Sequence, residues 1–247
     1  MAWTGQVKDL DDVKGFAKTL LDESANTFWT DAQQTALANE ANRMVFRILV
    51  DNNPEFFLEK NTTANDNPFT WPADAERIQL DTGDFLGANI MPYKVIGVES
   101  VGTSGAISPS NLPTKWRPMR FSERHLIERG GMDIAYHYCV VKNYLYVSPI
   151  PTEALNFFVY WIPPLADMSS DTHFVLSEST ASLRFVAEHF GDCVGYALAH
   201  LMNAKQNNAN PAVEQLWNEA MVRMTDHSQL RHVDEPMRVT ITRAPWE

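Results

Sequence analysis

The sequence has few cysteines, no long apolar run and no obvious leader, and each absence narrows the possible functions. Its 247 residues include only two cysteines, Cys139 and Cys193, which offer no disulfide framework and favour a reducing compartment. No segment approaches the roughly 18–20 apolar residues that a membrane-spanning helix needs. The start, MAWTGQVKDLDD, has neither a basic nor an apolar leader region, so we expect no secretory signal.

Motifs for the common catalytic and cofactor sites are also missing. The sequence contains no phosphate-binding GxxxxGK(S/T) or GxGxxG, no GxSxG nucleophile elbow, no HExxH and no paired CxxC. We therefore expect no cofactor and no enzymatic activity, which favours a structural or binding role.

One group of reactive side chains leaves an enzymatic alternative open. His189, Cys193 and His200 fall on one flank of a predicted helix. At 1.5 Å per residue the two histidines are about 16 Å apart, so these three residues cannot share one metal without ligands from elsewhere. The alternative function is a metal- or thiol-dependent enzyme that recruits such groups. A nucleophilic Cys193 requires an exposed thiol of low pKa, whereas its place beside an apolar stripe favours a buried, inert one.

The formal net charge of −11 is distributed unevenly along the chain. Residues 1–75 carry 6 Lys and Arg against 12 Asp and Glu, residues 76–165 carry 8 of each, and residues 166–247 carry 6 against 11. Acidic end blocks repel DNA phosphates and give no electrostatic basis for nucleic-acid affinity. Solvated helix faces also account for charge of this density.

Apolar residues at three- and four-residue steps predict two helices at each end of the chain. Thr30 and Gln33 form a capping box at the start of the second helix, and Asn210 precedes Pro211 as the cap of the last. The second helix is apolar on two sides, so we expect it to be covered by the β-rich region or by another subunit. The predicted helices are Val7–Leu21, a helix from Thr30 to Asn52, Ser182–Asn203, and a helix that follows Asn210.

Glycines inside the third helix predict a close helix contact. Gly191 and Gly195 lie one turn apart, and each costs about 1 kcal/mol of helix stability relative to alanine. The contact they permit is either internal to the subunit or an interface between subunits.

The middle of the chain is predicted to be rich in strands. Alternating and β-branched patterns predict the strands, and Lys142–Asn143 forms a two-residue hairpin link. Residues 61–75 and 102–113 are predicted to be loops. The predicted strands are Arg77–Leu80, Tyr93–Val101, Ile134–Val141, Tyr144–Ser148 and Leu155–Ile162, the last three being consecutive.

A local excess of positive charge follows the second loop. Residues 115–131 contain Lys115, Arg117, Arg120, Arg124 and Arg129 against Glu123 and Glu128. The segment is either a docking site for an acidic partner or the charged surface of a short helix capped by Ser122.

The last residues alternate between apolar and polar. Met237, Val239 and Ile241 fall on one side of a predicted strand, Met237–Thr242. This strand adds to a sheet in another chain, folds back onto the central region, or frays.

Together these patterns predict an α+β fold with a helical bundle drawn from both chain ends and an inserted antiparallel β-rich module. The predicted boundaries are residues 1–75 for the first half of the bundle, 76–165 for the module, 166–228 for the second half, and 229–247 for a C-terminal tail.

The order of these elements resembles one family of assembly proteins. FWTDAQQTALANEANRMVFRIL (28–49) precedes a strand-rich middle with YLYVSPIP (144–151) and FFVYWIPPL (157–165), and LRFVAEHFGDCVGYALAH (183–200) follows. This arrangement, over residues 7–228, resembles the head-to-tail adaptor (connector) proteins of tailed bacteriophages, especially of short-tailed phages.

The resemblance implies a homo-oligomeric ring, commonly twelve-fold, located in the virion neck and assembled from chains made in the host cytoplasm. The ring would dock beneath the portal protein, extend the DNA channel and meet a tail nozzle or tail-fibre protein. Duplex DNA would pass through without specific binding, and no membrane would be involved. The family offers no catalytic residues to carry over.

Overall fold

The fold is α+β, as the sequence predicts. The chain divides into two compact units: a helical unit, formed by residues up to Phe56 and from Leu165 onward, and a β unit, formed by Phe57–Pro164. The computed structural model describes residues 7–22, 28–61, 68–81, 92–101, 114–124, 135–177, 185–206 and 210–230.

The first two helices begin at side-chain caps. Helix α1 spans Leu10–Leu20 and starts later than predicted because the Asp9 carboxylate caps it by accepting a hydrogen bond from the N–H of Asp12. Helix α2 spans Asp31–Asn52, and its predicted capping box is confirmed. The Thr30 hydroxyl accepts from the Gln33 N–H, and the Gln33 side chain accepts from the Thr30 N–H.

Two further helices complete the helical unit. Helix α3 spans Phe185–Lys205 and helix α4 spans Pro211–Leu230. The predicted cap of α4 is confirmed, because the Asn210 side chain accepts from the N–H of Ala212 at 3.1 Å. Asn203 and Asn210 also exchange hydrogen bonds of 3.4 and 3.3 Å, which hold the end of α3 beside the start of α4.

Helix α3 is central to the helical unit, since it packs against α1, α2 and α4. The second apolar side of α2 is covered within the same unit. The side chain of Asn39 exchanges two hydrogen bonds with the backbone of Met168, and Asn42 accepts from the N–H of Leu176. Phe46 lies one turn beyond on that side and is buried. The segment that covers α2 is therefore the connection after the β unit, which the sequence did not single out.

In the described part of the β unit, nine short strands form two sheets. The five-stranded sheet has the order β1-β9-β4-β5, with β2 also paired to β9, and all its described pairings are antiparallel. The four-stranded sheet has the order β3-β8-β7-β6, and its β6–β7 pair is parallel. The strands are β1 Glu59–Asn61, β2 Phe69–Trp71, β3 Arg77–Gln79, β4 Lys94–Val101, β5 Thr114–Lys115, β6 Arg117–Pro118, β7 His137–Val141, β8 Tyr144–Ser148 and β9 Leu155–Ile162.

One prediction for this unit was wrong, and one feature of its topology was not predicted. Phe69–Trp71 was assigned to a loop, but it pairs with Leu155–Phe157 of β9, so the β unit begins at Phe57 and not at residue 76. The strands β7, β8 and β9 are consecutive in the sequence, but they belong to two different sheets. Strand β8 is flanked by β3 and β7 and has no free edge, so β9 joins the other sheet and pairs with β4 along its length.

Aromatic side chains fill the β unit between the two sheets. Trp71 is fully buried, with ring centroids 5.5 Å from Phe157 and 5.7 Å from Trp116, and its indole N–H donates to the carbonyl of Ala75. The Tyr138 hydroxyl of one sheet donates to the Ile96 carbonyl of the other at 3.3 Å. The β unit therefore has a core of its own, made of residues from both sheets.

Candidate interaction surface

Arg124 of the predicted basic patch is held by aromatic rings on the outer face of the four-stranded sheet. Its guanidinium carbon lies 4.5 Å from the ring centroid of Phe121 and 5.9 Å from that of Tyr146. Its Nη1 donates to the carboxylate of Glu76 at 2.5 Å. Because its charge is paired and it lies over these rings, Arg124 anchors its own segment against the sheet.

Arg77 extends this arrangement along the same face. Its guanidinium lies 4.5 Å from the ring centroid of Tyr144, and its Nη1 donates to the Tyr146 hydroxyl at 2.9 Å. Sequence reasoning missed Arg77 and Glu76. The available signal was the pair Tyr144 and Tyr146, which alternate with the core residue Leu145 and so share the outer face.

The turn before Arg124 differs from the prediction. Ser122 was expected to cap a helix, but it lies inside a single 3-10 turn, Phe121–Glu123. The Glu123 carboxylate accepts from the N–H of Arg120 at 3.1 Å, and the Glu123 N–H donates to the Arg120 carbonyl at 2.9 Å. The remainder of the expected helix, up to residue 131, lies outside the described residues.

Two arginines of the patch are exposed at the edge of the β unit. Arg117 lies in β6, the edge strand beside β7, and Arg120 lies at the start of the turn. Lys115 is exposed in β5 and lies opposite Glu99 of β4, and Phe121 is 41% exposed. We call these four residues, Lys115, Arg117, Arg120 and Phe121, the basic strip.

Helix α4 carries a second exposed feature, which the sequence analysis missed. Glu219, Val222 and Asp226 follow one another at steps of three and four residues and are all exposed, with Val222 at 59%. We call these three residues the α4 stripe. Val222 lies off the buried side that Val213, Trp217, Ala220 and Met224 form, and this displacement was the signal available in the sequence.

A small cavity borders the α4 stripe. It has a volume of about 170 Å³ and is lined by Tyr196 of α3 and by Leu216, Glu219, Ala220 and Arg223 of α4. One acid and one base face this space, so its polar lining favours neither an anion nor a cation.

Gly191 and Gly195 make internal contacts. A Cβ atom on Gly191 would lie 2.0 Å from the carbonyl oxygen of Val7, and one on Gly195 would lie 2.3 Å from the ring of Phe16. Both glycines therefore let α3 approach the N-terminal segment of the same unit. Of the two alternatives for these residues, the structure has the contact within the subunit.

The thiol of Cys193 is buried beside an ion pair. Arg223 donates to the Asp192 carboxylate at 2.6 Å and to the Cys193 sulfur at 2.9 Å. Burial raises the pKa of the Cys193 thiol to about 12, and the negative charge of Asp192 adds to this effect. The thiol is therefore protonated at neutral pH, which is the opposite of what a nucleophile needs.

The two histidines of the enzymatic alternative have separate surroundings. His189 is exposed, whereas His200 stacks on Trp217 and its Nδ1 lies 2.9 Å from the Glu214 carboxylate. Within the described ranges, no group of three or more His, Cys, Asp or Glu residues is placed to hold a metal ion. Met237, Val239 and Ile241, the remaining predicted interface residues, lie outside the described residues.

Comparisons of the sequence with protein-family models and with curated proteins found no relative. No protein-family model and no curated protein matches the sequence. Over the part of the chain that the structure describes, no helix combines the length and apolar character needed to cross a bilayer.

Proposed function

We propose that this protein is a structural head-to-tail adaptor of a tailed bacteriophage of the short-tailed type. Copies of the chain form a ring beneath the portal protein, extend the DNA channel and dock a tail nozzle or tail-fibre protein. The protein acts in the neck of the virion through contacts and performs no reaction.

The observation that carries this proposal is that the sequence of one compact unit is inserted within the sequence of the other. Both ends of the chain contribute to one helical unit, while the intervening residues of the sequence, Phe57–Pro164, form a β unit with a core of its own. The resemblance to connector proteins implies such an arrangement. An inserted unit of this kind can offer a surface to one neighbour while the helical unit contacts another.

The charge of the chain supports the same role. The described helices α1, α2 and α4 carry acidic residues in their first turns, and the chain as a whole has a net charge of −11. A channel wall of this sign repels the DNA phosphates, so the duplex slides during ejection without being held.

Imaging a mixture with the portal protein tests the proposal directly. The purified full chain is mixed with portal rings from the same phage, and the complex is imaged by electron cryomicroscopy. We expect a closed ring of copies on the tail-side face of the portal. A chain that does not bind the portal, or that binds it as a single copy, contradicts the proposal.

The C-terminal tail provides a second test. Deletion of residues 229–247 is expected to weaken attachment to the portal by about tenfold or more, because an apolar alternating segment can add to a neighbouring sheet. Co-sedimentation with the portal measures the loss. A variant that keeps the length and composition of the tail but scrambles its order is the control for nonspecific effects, and it should behave like the deletion.

The metal- or thiol-dependent enzyme receives no support from the surroundings of Cys193, His189 and His200. Metal analysis of the purified chain still tests it, since one zinc or iron ion bound per chain would favour that function over the adaptor.

A further inference from the structure

The outer face of the five-stranded sheet carries three lysines. Residues that pair across antiparallel strands point to the same side, and the pairings place the lysines of β1, β4 and β5 on the side of the two β9 rings that do not enter the core. All three lysines are exposed, whereas both rings are half-buried. We call this surface the lysine face, and its residues are Lys60, Lys94, Lys115, Phe158 and Tyr160.

The positive charge of the lysine face is not neutralised by its neighbours. Within the described ranges, none of the three lysines forms an ion pair. The Lys60 ammonium lies 3.5 Å from the ring centroid of Phe158, a contact that leaves its full charge in place. Glu99 is the one carboxylate that the described pairings place on this side, and it accepts from the Tyr160 hydroxyl at 3.0 Å. The lysine face therefore has an excess of positive charge in a chain of net charge −11.

A glycine leaves a hollow in the lysine face beside the Tyr160 ring. Gly97 of β4 pairs with Tyr160 of β9. Among the described residues, the one atom within 4 Å of a Cβ built on Gly97 is a carbon of the Tyr160 ring, at 3.9 Å. Lys60 and Lys94 lie on the strands to either side of β9, two strand spacings and about two residues apart, which is about 12 Å between their Cα atoms.

The α4 stripe matches the lysine face in charge and in spacing. Glu219 and Asp226 are seven residues apart, which is about 10 Å along a helix, and Val222 between them is 59% exposed. Glu219 accepts from the neutral amide of Gln215, so it keeps its negative charge. The only Lys or Arg in the sequence of α4 is Arg223, and its charge is paired with a carboxylate of α3. The stripe therefore has an apolar centre between two negative charges.

We propose that the lysine face of one copy receives the α4 stripe of a second copy of this chain. Val222 enters the hollow above Gly97, and the two carboxylates of the stripe meet Lys60 and Lys94. An apolar contact surrounded by opposite charges is the arrangement that directs association and suppresses wrong pairings.

The contact joins different surfaces of the two copies. The lysine face belongs to the β unit and the α4 stripe belongs to the helical unit, so each copy retains one unused patch after the first contact forms. Such heterologous contacts generate closed rings when the rotation between copies closes. The inference rests on the proposed function, because it names the surfaces through which the adaptor ring is built.

A nucleic acid is the other occupant that a sheet with lysines and rings suggests, and the details of this face disfavour it. Base stacking needs an open aromatic ring. The Lys60 ammonium lies over the Phe158 ring, and the Tyr160 hydroxyl is bound to Glu99, whose charge repels phosphate. The face therefore offers charge rather than a stacking platform, which suits an acidic protein surface.

Charge reversal on each side tests the contact. In the full chain, Lys60→Glu with Lys94→Glu makes the lysine face acidic, and Glu219→Lys with Asp226→Lys makes the stripe basic. We expect each variant alone to self-associate at least about tenfold more weakly than the natural chain at low salt, and the loss should shrink at high salt, where charge pairs are screened. An equimolar mixture of the two variants regains association, because each face then meets a stripe of opposite charge. A mixture that does not regain association overturns the inference.

Sedimentation velocity over a range of concentrations measures these differences. Arg120→Glu with Lys142→Glu is the matched control, since it reverses two exposed charges of the β unit outside the lysine face and should leave association unchanged. Circular dichroism confirms that each variant is folded. If the control weakens association as much as Lys60→Glu with Lys94→Glu does, the loss comes from net charge and the inference is wrong.

Filling the hollow tests the apolar part of the contact. Gly97→Leu places a side chain where Val222 is expected to enter, and the space beside Tyr160 accommodates its Cβ atom. We expect self-association to weaken at least about tenfold at high salt as well as at low salt, and Gly97→Ala to weaken it less. Unchanged association of Gly97→Leu contradicts the proposed contact.

A crosslink identifies the two surfaces independently of charge. A photoreactive benzoylphenylalanine replaces Val222 in isotope-labelled chain, which is then mixed with unlabelled chain so that links between copies are distinguished from links within one copy. We expect crosslinks from position 222 of one copy to residues 94–101 or 155–162 of the other. Crosslinks within a single copy only, or to other segments only, overturn the inference.

Failure of this inference and failure of the proposed function are distinguishable. A chain that stays monomeric and gives no crosslink between copies overturns the inference, whereas binding to the portal, measured separately, tests the adaptor function. If Lys60→Glu with Lys94→Glu abolishes binding to a labelled oligonucleotide or to a tail protein but leaves self-association intact, the lysine face binds that partner and the inference is wrong.

Discussion

At the scale of single residues, burial sets the chemistry of the Cys193 thiol. With a pKa of about 12, only about one molecule in 10⁵ carries the thiolate at pH 7. We expect Cys193 to react with a water-soluble disulfide reagent at least about a thousandfold more slowly in the folded chain than in denaturant. The measurement uses a Cys139→Ala variant, so that a single thiol is observed. Modification at the rate of a free thiol in the native state would contradict the buried position.

Lys14 is the most deeply buried cation among the described residues. Replacing it should lower the free energy of unfolding by less than replacing its two carboxylate partners. Its Nζ donates to Asp31 at 2.8 Å and to Asp171 at 3.1 Å, and both carboxylates are exposed. Lys14→Met leaves two hydrated carboxylates and should lower the free energy of unfolding by about 1 kcal/mol. Asp31→Ala with Asp171→Ala leaves a buried ammonium without partners and should cost about 2 kcal/mol or more. Chemical denaturation measures both, and the reverse order would contradict this account.

The same ion pairs predict a dependence of stability on pH. Burial alone lowers the pKa of the Lys14 ammonium, but its hydrogen bonds and charge interactions with Asp31 and Asp171 outweigh burial and raise it. The hydrogen bond and charge of Lys14 lower the pKa of Asp31. A carboxyl with a lowered folded pKa contributes stability above its unfolded value of about 3.9 and loses it as the pH falls through the folded value. We therefore expect the melting temperature of Lys14→Met to fall less than that of the natural chain when the pH drops below about 4, as thermal unfolding at several pH values would measure.

At the scale of the helices, the two glycines of α3 should differ in their tolerance of alanine. In Gly191→Ala the new methyl group meets the backbone oxygen of Val7, which cannot move without shifting the chain, whereas in Gly195→Ala it meets the Phe16 ring. Alanine gains about 1 kcal/mol in helix propensity at either site, which offsets part of the clash. We expect Gly191→Ala to lower the free energy of unfolding by about 2 kcal/mol and Gly195→Ala by less.

A second substitution makes this comparison specific. Phe16→Leu should restore stability to Gly195→Ala, because it removes the ring atoms that the methyl group meets, and it should not rescue Gly191→Ala. Gly97→Ala is the control, since its Cβ would lie 3.9 Å from Tyr160. If both alanine substitutions lowered the free energy of unfolding equally, the proposed difference between a backbone clash at Gly191 and a side-chain clash at Gly195 would be contradicted.

The helices and strands that are set by residues close together in the sequence could be predicted from the sequence. The Thr30–Gln33 capping box and the Asn210 cap are local signals, and the strands on either side of Lys142–Asn143 were placed correctly. Phe69–Trp71 was missed because it is three residues long, flanked by prolines, and stabilised by pairing with β9 far along the chain. The sequence carries no local signal for such pairing.

At the scale of the whole molecule, the candidate surface was only half predictable. The exposed arginines Arg117 and Arg120 could be found because a local excess of charge is visible in the sequence. The internal role of Arg124 could not, since it depends on Tyr146 and Glu76, which approach only in the folded β unit. The α4 stripe was missed because one exposed valine looks ordinary until the helix is packed.

The whole charge of the molecule leads to a prediction about DNA. A net charge of −11 gives no counterion release on meeting a duplex, so the natural chain should not bind DNA even at low salt. A variant in which four exposed acids of the helical unit become amides still has a net charge of −7, so by the same argument it should not bind DNA either. Asp11→Asn, Asp51→Asn, Glu55→Gln and Asp226→Asn together form such a variant. Fluorescence anisotropy with a labelled duplex measures both chains. Salt-dependent binding by the natural chain would mean that a local basic surface overrides the net charge, and Arg117→Glu with Arg120→Glu would then identify it by abolishing the binding.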